Sequence, residues 1–293
     1  MGSESILVYE SRVRSRQIVL AVVAGVLMMA ATLIQLTGVH ANVTEETLSL
    51  LTYDKRAPLD LVSAVVNAVA IVAAAWTLLF LWRGARARNP GRVKGFIRWV
   101  ILVGATLDAV VGVAYAAVLT VKAHQFATTG LQTYDEAQRL AGGGGLLTMQ
   151  LLGFLGAFLM AVAFVLVSMQ AMNQGMLTRF MGYLGMLAGA LTLFQITQIP
   201  VVQTYWLLAL AYLVSGRWPS GVPLAWSSGR AEPWPSSAEM RNRRAAAMGA
   251  GGGRRRGGGR GRGSVSVPAV EPEAAGGSRT RASTPKRKRK RRS

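Results

Sequence analysis

The chain has 293 residues, 51% of them hydrophobic, yet Lys and Arg outnumber Asp and Glu by 33 to 13, a formal charge of +20. A mean hydropathy of +0.33 is too apolar for a solvated domain, and +20 is too much like charge for one compact core, so the two must occupy different stretches. With no cysteine and two histidines, disulfides, thiolate metal sites and cysteine nucleophiles are excluded, and ligands for the usual zinc clusters are lacking.

Counting along the chain locates the charge. Residues 217–293 hold 19 basic and 4 acidic residues, whereas residues 1–216 hold 14 and 9. The expected class is an all-α, polytopic transmembrane helical bundle with a disordered basic C-terminal tail.

A hydrocarbon core about 30 Å thick needs about 20 apolar residues at a rise of 1.5 Å each. Five stretches meet this requirement, at about 18–38, 61–82, 97–121, 147–169 and 178–198. A sixth, 201–217, is at the lower limit, and Pro200 suits its first turn. The last two are expected to form a tight helical hairpin, with a re-entrant or interfacial final segment as the alternative. The first span begins like a secretory signal, with Val39-His40-Ala41 as a cleavage-like triplet. Its apolar run exceeds the about 7–15 residues of such a signal, so it is read as a span.

Loop charges orient the bundle. Arg83, Arg86, Arg88, Arg92 and Lys94 fall between the second and third spans with no acid among them. The loops at 39–60 and 122–146 are mixed in sign. The positive-inside rule puts 83–96 in the cytoplasm, together with the N-terminus carrying Arg12, Arg14 and Arg16. Six spans then return the C-terminus to the same side of a bacterial inner (plasma) membrane. Trp82, Trp99 and Trp218 fall at the cytoplasmic helix ends, where tryptophan prefers the headgroup level.

Smaller signals punctuate the loops. Thr133 to Glu136 has capping-box spacing, with Gly142 to Gly145 as a helix stop. Asn42-Val43-Thr44 matches a glycosylation sequon, a three-residue pattern common by chance. The spans contain no serine elbow, HExxH, phosphate loop or paired catalytic acids, so the expectation is not an enzyme.

Asp108 is the position with the most chemical content. It lies near the middle of the third span, where a charge costs several kcal/mol. Gly104, Asp108, Gly112 and Ala116 recur every fourth residue, and Tyr115 shares that face. Asn67, in the outer half of the second span, is the nearest hydrogen-bond candidate in depth. Asp108 with Asn67 and Tyr115 is therefore a candidate proton or cation site, the alternative being a protonated Asp that serves only interhelical packing. His40 and His124 share a depth at the outer ends and could bracket a haem, but haem ligands normally lie inside a bundle, and no cofactor is expected. Gly182, Gly185 and Gly189 are read as a helix-packing face, and Gln150, Gln170, Gln195, Gln198 and Gln203 as interfacial residues at span ends.

The tail divides in three. Residues 218–235 mix Trp218, Trp226 and Trp234 with four prolines, an extended segment hugging the membrane surface. Residues 236–248 offer a capping box and a short basic helix, completing a juxtamembrane unit at 218–248. Residues 249–293 are low in complexity and expected to be disordered. Arg254, Arg255 and Arg256, with Lys286, Arg287, Lys288, Arg289, Lys290, Arg291 and Arg292, could hold anionic lipid at about 1 kcal/mol each, bind nucleic-acid phosphates, or merely enforce orientation.

Three stretches, TRFMGYLGMLAG at 178–189, SGRWPSGVPLAW at 215–226 and GRAEPWPSSAEMR at 229–241, resemble an uncharacterised family of multi-spanning integral membrane proteins from high-GC bacteria. The resemblance covers about residues 1–241 and implies a helical inner-membrane protein; it transfers no activity and no site residue. Two functions are expected from these readings. One is a membrane scaffold or tether whose basic tail contacts anionic lipid or nucleic acid. The other is a small-solute or proton-linked transporter using Asp108, which requires polar side chains from several spans to converge on that residue.

Overall fold

The computed structural model describes residues 3–37, 46–194, 199–219, 221–232, 234 and 241. The described residues are helical, without strands. Four helices are long and apolar enough to cross a membrane: α1 (Ser3–Leu36), α2 (Glu46–Arg88), α3 (Phe96–Thr128) and, after the short α4 (Tyr134–Ala141), α5 (Gly144–Asn173). Two shorter helices follow, α6 (Arg179–Phe194) and α7 (Val201–Val214), then one turn, α8 (Ala225–Ser228).

The faces of the long helices explain why they associate. On α2, Val62, Val65, Val69, Val72 and Trp76 point outward, while Ala70, Ala73, Ala74, Leu78 and Leu81 are buried. On α1 the outward residues are Val19, Val22, Val26 and Leu33, and the buried ones Ala21, Ala24 and Ala31. Large apolar groups outside and small ones inside suit a lipid surround, because helices in hydrocarbon gain by close approach rather than by hiding apolar area. Both faces are apolar, so composition reveals the spans without revealing which side packs.

The helices run well past the expected span limits. At 43 residues, α2 is about 65 Å long at 1.5 Å per residue, about twice a hydrocarbon core. Its first turns, including Pro58, reach beyond the expected span. There Leu50, Ala123, Phe126 and Ala137 make a small separate core joining α2, α3 and α4. Thr133 caps α4 by accepting from the Glu136 amide at 3.4 Å, and Gly142 ends the helix, as the capping spacing anticipates. The Glu136 carboxylate accepts from the Gln132 amide at 3.1 Å instead of completing the box at Thr133.

The pair α6–α7 is the expected hairpin. Gln203 Nε2 donates to Ala188 O at 3.1 Å, and Trp206 Nε1 to Met181 O at 2.9 Å, so the two helices run antiparallel. Gly182, Gly185 and Gly189 face Met172, Ser168 and Ala161 of α5 at distances only glycine permits, which makes them packing residues. The other arm lies against α1: Thr204 Oγ1 donates to Gly25 O at 3.4 Å, and Arg14 Nε donates to Val214 O. The described lengths of α6 and α7, 16 and 14 residues, fall short of the about 20 that a crossing needs.

At the end carrying Arg83 to Lys94, the segment after α7 folds onto the bundle. Trp226 Nε1 donates to Met176 O and Trp234 Nε1 to Leu177 O, both at 2.8 Å, and the Glu232 amide donates to Gln174 O at 3.2 Å. Trp226 also stacks on Phe80. The Trp226 ring is thus turned toward protein, whereas Trp234 keeps 40% of its surface exposed while its N–H is bonded to the bundle. Trp82 departs from expectation as well: it is buried and donates to Lys94 O at 3.2 Å, because the α2–α3 turn doubles back over it. Trp99 is exposed, as an interfacial residue should be.

Candidate functional site

Asp108 reaches its position through an unusually close helix crossing. Gly156 of α5 lies so near the Asp108 backbone that an added Cβ would come within 2.5 Å of its amide nitrogen, and one on Gly104 would come within 3.0 Å of the Met160 nitrogen. The small-residue stripe on α3 is therefore split in use. Gly104 packs against α5, whereas Gly112 has no neighbour within 4 Å of such a Cβ and borders open space.

That space is a cavity of about 390 Å³ bordered by Asp108, Asn67 and Tyr115, the three residues singled out in the sequence, and it continues to Asp60, Arg56 and Gln35. A second cavity, of about 310 Å³, also touches Asp108 and Asn67 and extends the other way, to Thr32, Thr192, Pro200 and Gln203. Asp108 and Asn67 thus border both cavities, and α1, α2, α3, α5 and the α6–α7 pair all contribute to the walls. Each chamber falls in the size range of small-molecule sites, mostly apolar with few polar groups.

The polar groups around Asp108 are fixed by bonds within the protein. At the mouth of the first chamber Arg56 lies 3.8 Å from Asp60 and donates to Ile34 O at 3.2 Å and Gln35 O at 3.3 Å, at the C-terminal end of α1. Carbonyls left open at a helix end are good partners for a guanidinium. In the second chamber Gln203 Nε2 is held by Ala188 O and, at 3.0 Å, by Thr192 Oγ1. Thr192 and Thr32 return their own hydroxyl protons to Ala188 O at 2.9 Å and Met28 O at 3.0 Å. Among the described residues, the Asp108 carboxylate makes no ion pair.

Gln203 corrects the sequence reading. It was expected at the interface, yet it is buried between α6 and α7 and lines the second chamber. Its signal was position: it follows Pro200 by three residues, on the first turn of a helix that begins inside the bundle. His124 is exposed and pairs with Asp54 at 3.1 Å, while His40 lies outside the described residues. Arg254, Arg255, Arg256 and residues 286–292 of the basic tail also lie outside them.

A second constellation went unforeseen. Arg88, fully buried, grips both oxygens of Glu10 at 2.5 and 2.9 Å. It donates further to Gly84 O and Ala225 O and lies 5.5 Å from the centre of the Trp226 ring. One guanidinium therefore ties α1, α2 and the segment after α7 together. No family model, curated protein or solved structure matches the chain.

Proposed function

We propose that the protein is a small-solute or proton-linked transporter of the bacterial inner membrane, working through Asp108. That Asp108 and Asn67 border both cavities supports this reading most directly. A carboxylate bordered by two cavities suits an intramembrane site that binds and releases a guest. The first chamber continues toward Arg56 and Asp60. The second reaches Pro200 and Gln203 at the start of α7, and the length of the hairpin separates it from the Glu10–Arg88 lock and the Trp226 segment. In purified protein reconstituted into liposomes, Asp108→Asn is expected to retain folding and to lower solute-driven proton flux, read with a trapped pH dye, about tenfold or more. A folded variant with wild-type flux removes Asp108 from the mechanism.

For topology we favour four full crossings and a re-entrant α6–α7 pair over six crossings, with both termini cytoplasmic in either case. Pro200 borders the same chamber as Met28 and Thr32, and α1 continues beyond them to Leu36, so α7 starts short of the end of α1. The chain lacks cysteine, so single introduced cysteines report cleanly. On intact cells Thr129→Cys is expected to react with a membrane-impermeant maleimide and Val201→Cys to remain unlabelled. Equal labelling of the two would establish six crossings. The resemblance to membrane proteins of high-GC bacteria is consistent with this placement. The basic tail, with its 19 Lys and Arg beyond residue 216, supports a second role as a tether to anionic lipid headgroups or nucleic acid.

A further inference from the structure

We infer that the guest of the Asp108 cavity is a small organic ammonium ion carrying N–H donors, a conclusion that deepens the transport reading and rests on the same site. Charge points first. Among the described residues, Arg56 is the one basic side chain bordering either chamber, and it is matched by Asp60 and by the Ile34 and Gln35 carbonyls. Among the described residues Asp108 has no such counterpart, so the lining shared by the two chambers carries one unmatched carboxylate. An anion would meet repulsion there, and a neutral guest could offer the carboxylate at most an uncharged hydrogen bond.

Hydrogen-bonding valence gives the same answer independently. The Gln203 amide protons and the Thr32 and Thr192 hydroxyl protons already go to protein acceptors. What these side chains still present is lone pairs, Gln203 Oε1 among them, alongside the two Asp108 oxygens. These acceptors suit donors on the guest, while Asn67, which borders both chambers, and Tyr115 in the first add donors of their own beside Asp108. Size and lining then separate an organic from an inorganic cation. Chambers of about 390 and 310 Å³ are too roomy for side chains to close around a bare metal ion at its usual 2–2.6 Å. Ile71, Met160, Phe164 and Leu191 supply apolar wall for a carbon skeleton.

The test is binding, read apart from flux. Full-length protein in detergent is heated with 2-phenylethylammonium, 2-phenylethanol or phenylacetate, three probes of similar size that differ in charge. The ammonium is expected to raise the unfolding midpoint of the wild type, while the alcohol and the anion leave it in place. Its apparent affinity should fall about tenfold or more in Asp108→Asn, the worth of a charge-assisted hydrogen bond. Equal stabilisation by the alcohol or the anion, unchanged ammonium binding in the variant, or no binding of the ammonium overturns the inference. Should the variant not fold, the ranking of the three probes on the wild type still decides. Ammonium binding without its uptake into liposomes would sustain the site and defeat the transport reading; solute-driven proton flux without ammonium binding would do the reverse.

Discussion

Replacing Arg88 by Met is expected to destabilise the protein by about 3–5 kcal/mol, the usual cost of removing one partner from a buried ion pair. The side chains of Arg88 and Glu10 are 0% and 7% exposed, so the Glu10 carboxylate would stay buried after losing a bidentate partner. The same change releases Ala225 O and the Trp226 ring, so the loss should spread to the segment after α7. Two measurements check this: a lower thermal midpoint in detergent, and faster chymotryptic cleavage near Trp226. The double variant Glu10→Gln with Arg88→Met should recover a large part of the loss, because it also removes the stranded charge. An unchanged midpoint in Arg88→Met would show that the pair contributes nothing beyond its geometry.

The second large effect concerns two glycines three residues apart on α5, for which opposite signs are expected. In a helix interior Gly→Ala ordinarily stabilises by about 0.5–1 kcal/mol. At Gly153 the nearest atom to a new Cβ is a Val111 methyl at 4.0 Å, so Gly153→Ala should realise that gain. At Gly156 the new methyl would lie 2.5 Å from the Asp108 nitrogen and 2.9 Å from its Cα. Backbone cannot rotate aside as a side chain does, so α3 and α5 must separate. Overpacking of this kind costs about 1–3 kcal/mol and exceeds the propensity gain. Gly156→Ala should therefore lower the unfolding midpoint and, by displacing Asp108, weaken whatever the cavity binds. Matching shifts in the two variants would show that the crossing is not tight.

The sequence announced some of this architecture clearly. An apolar run of span length is unmistakable because almost nothing else in biology requires it, and α1, α2, α3 and α5 each contain one. Asp108 stood out for the complementary reason, as the single charge deep in such a run; depth led from it to Asn67 and the helical period to Tyr115. Helix faces were harder to read: where lipid and protein are both apolar, the difference between Val69 and Ala70 of α2 is one of size. Gln203 was misplaced because an amide near a proline resembles an interfacial residue until the helix start is known to lie inside the bundle. The Glu10–Arg88 pair had no local signature, since its members are 78 positions apart and each lies among other charges at a helix end. Gly156 belongs to the same class, for its neighbour is a backbone atom of another helix.

The length of α2 makes it a lever as well as a wall. Asn67 and Arg88 stand 21 positions apart on one continuous helix, and its proline, Pro58, lies outside that stretch. The separation is about 32 Å. A tilt of about 5° pivoting at Asn67 would sweep Arg88 through nearly 3 Å by simple proportion, far more than a hydrogen bond of 2.5 to 2.9 Å to Glu10 tolerates. The clasp at one end and the shape of the chamber in the middle are therefore mechanically one setting, and a guest that shifts α2 at Asn67 strains the clasp without touching it.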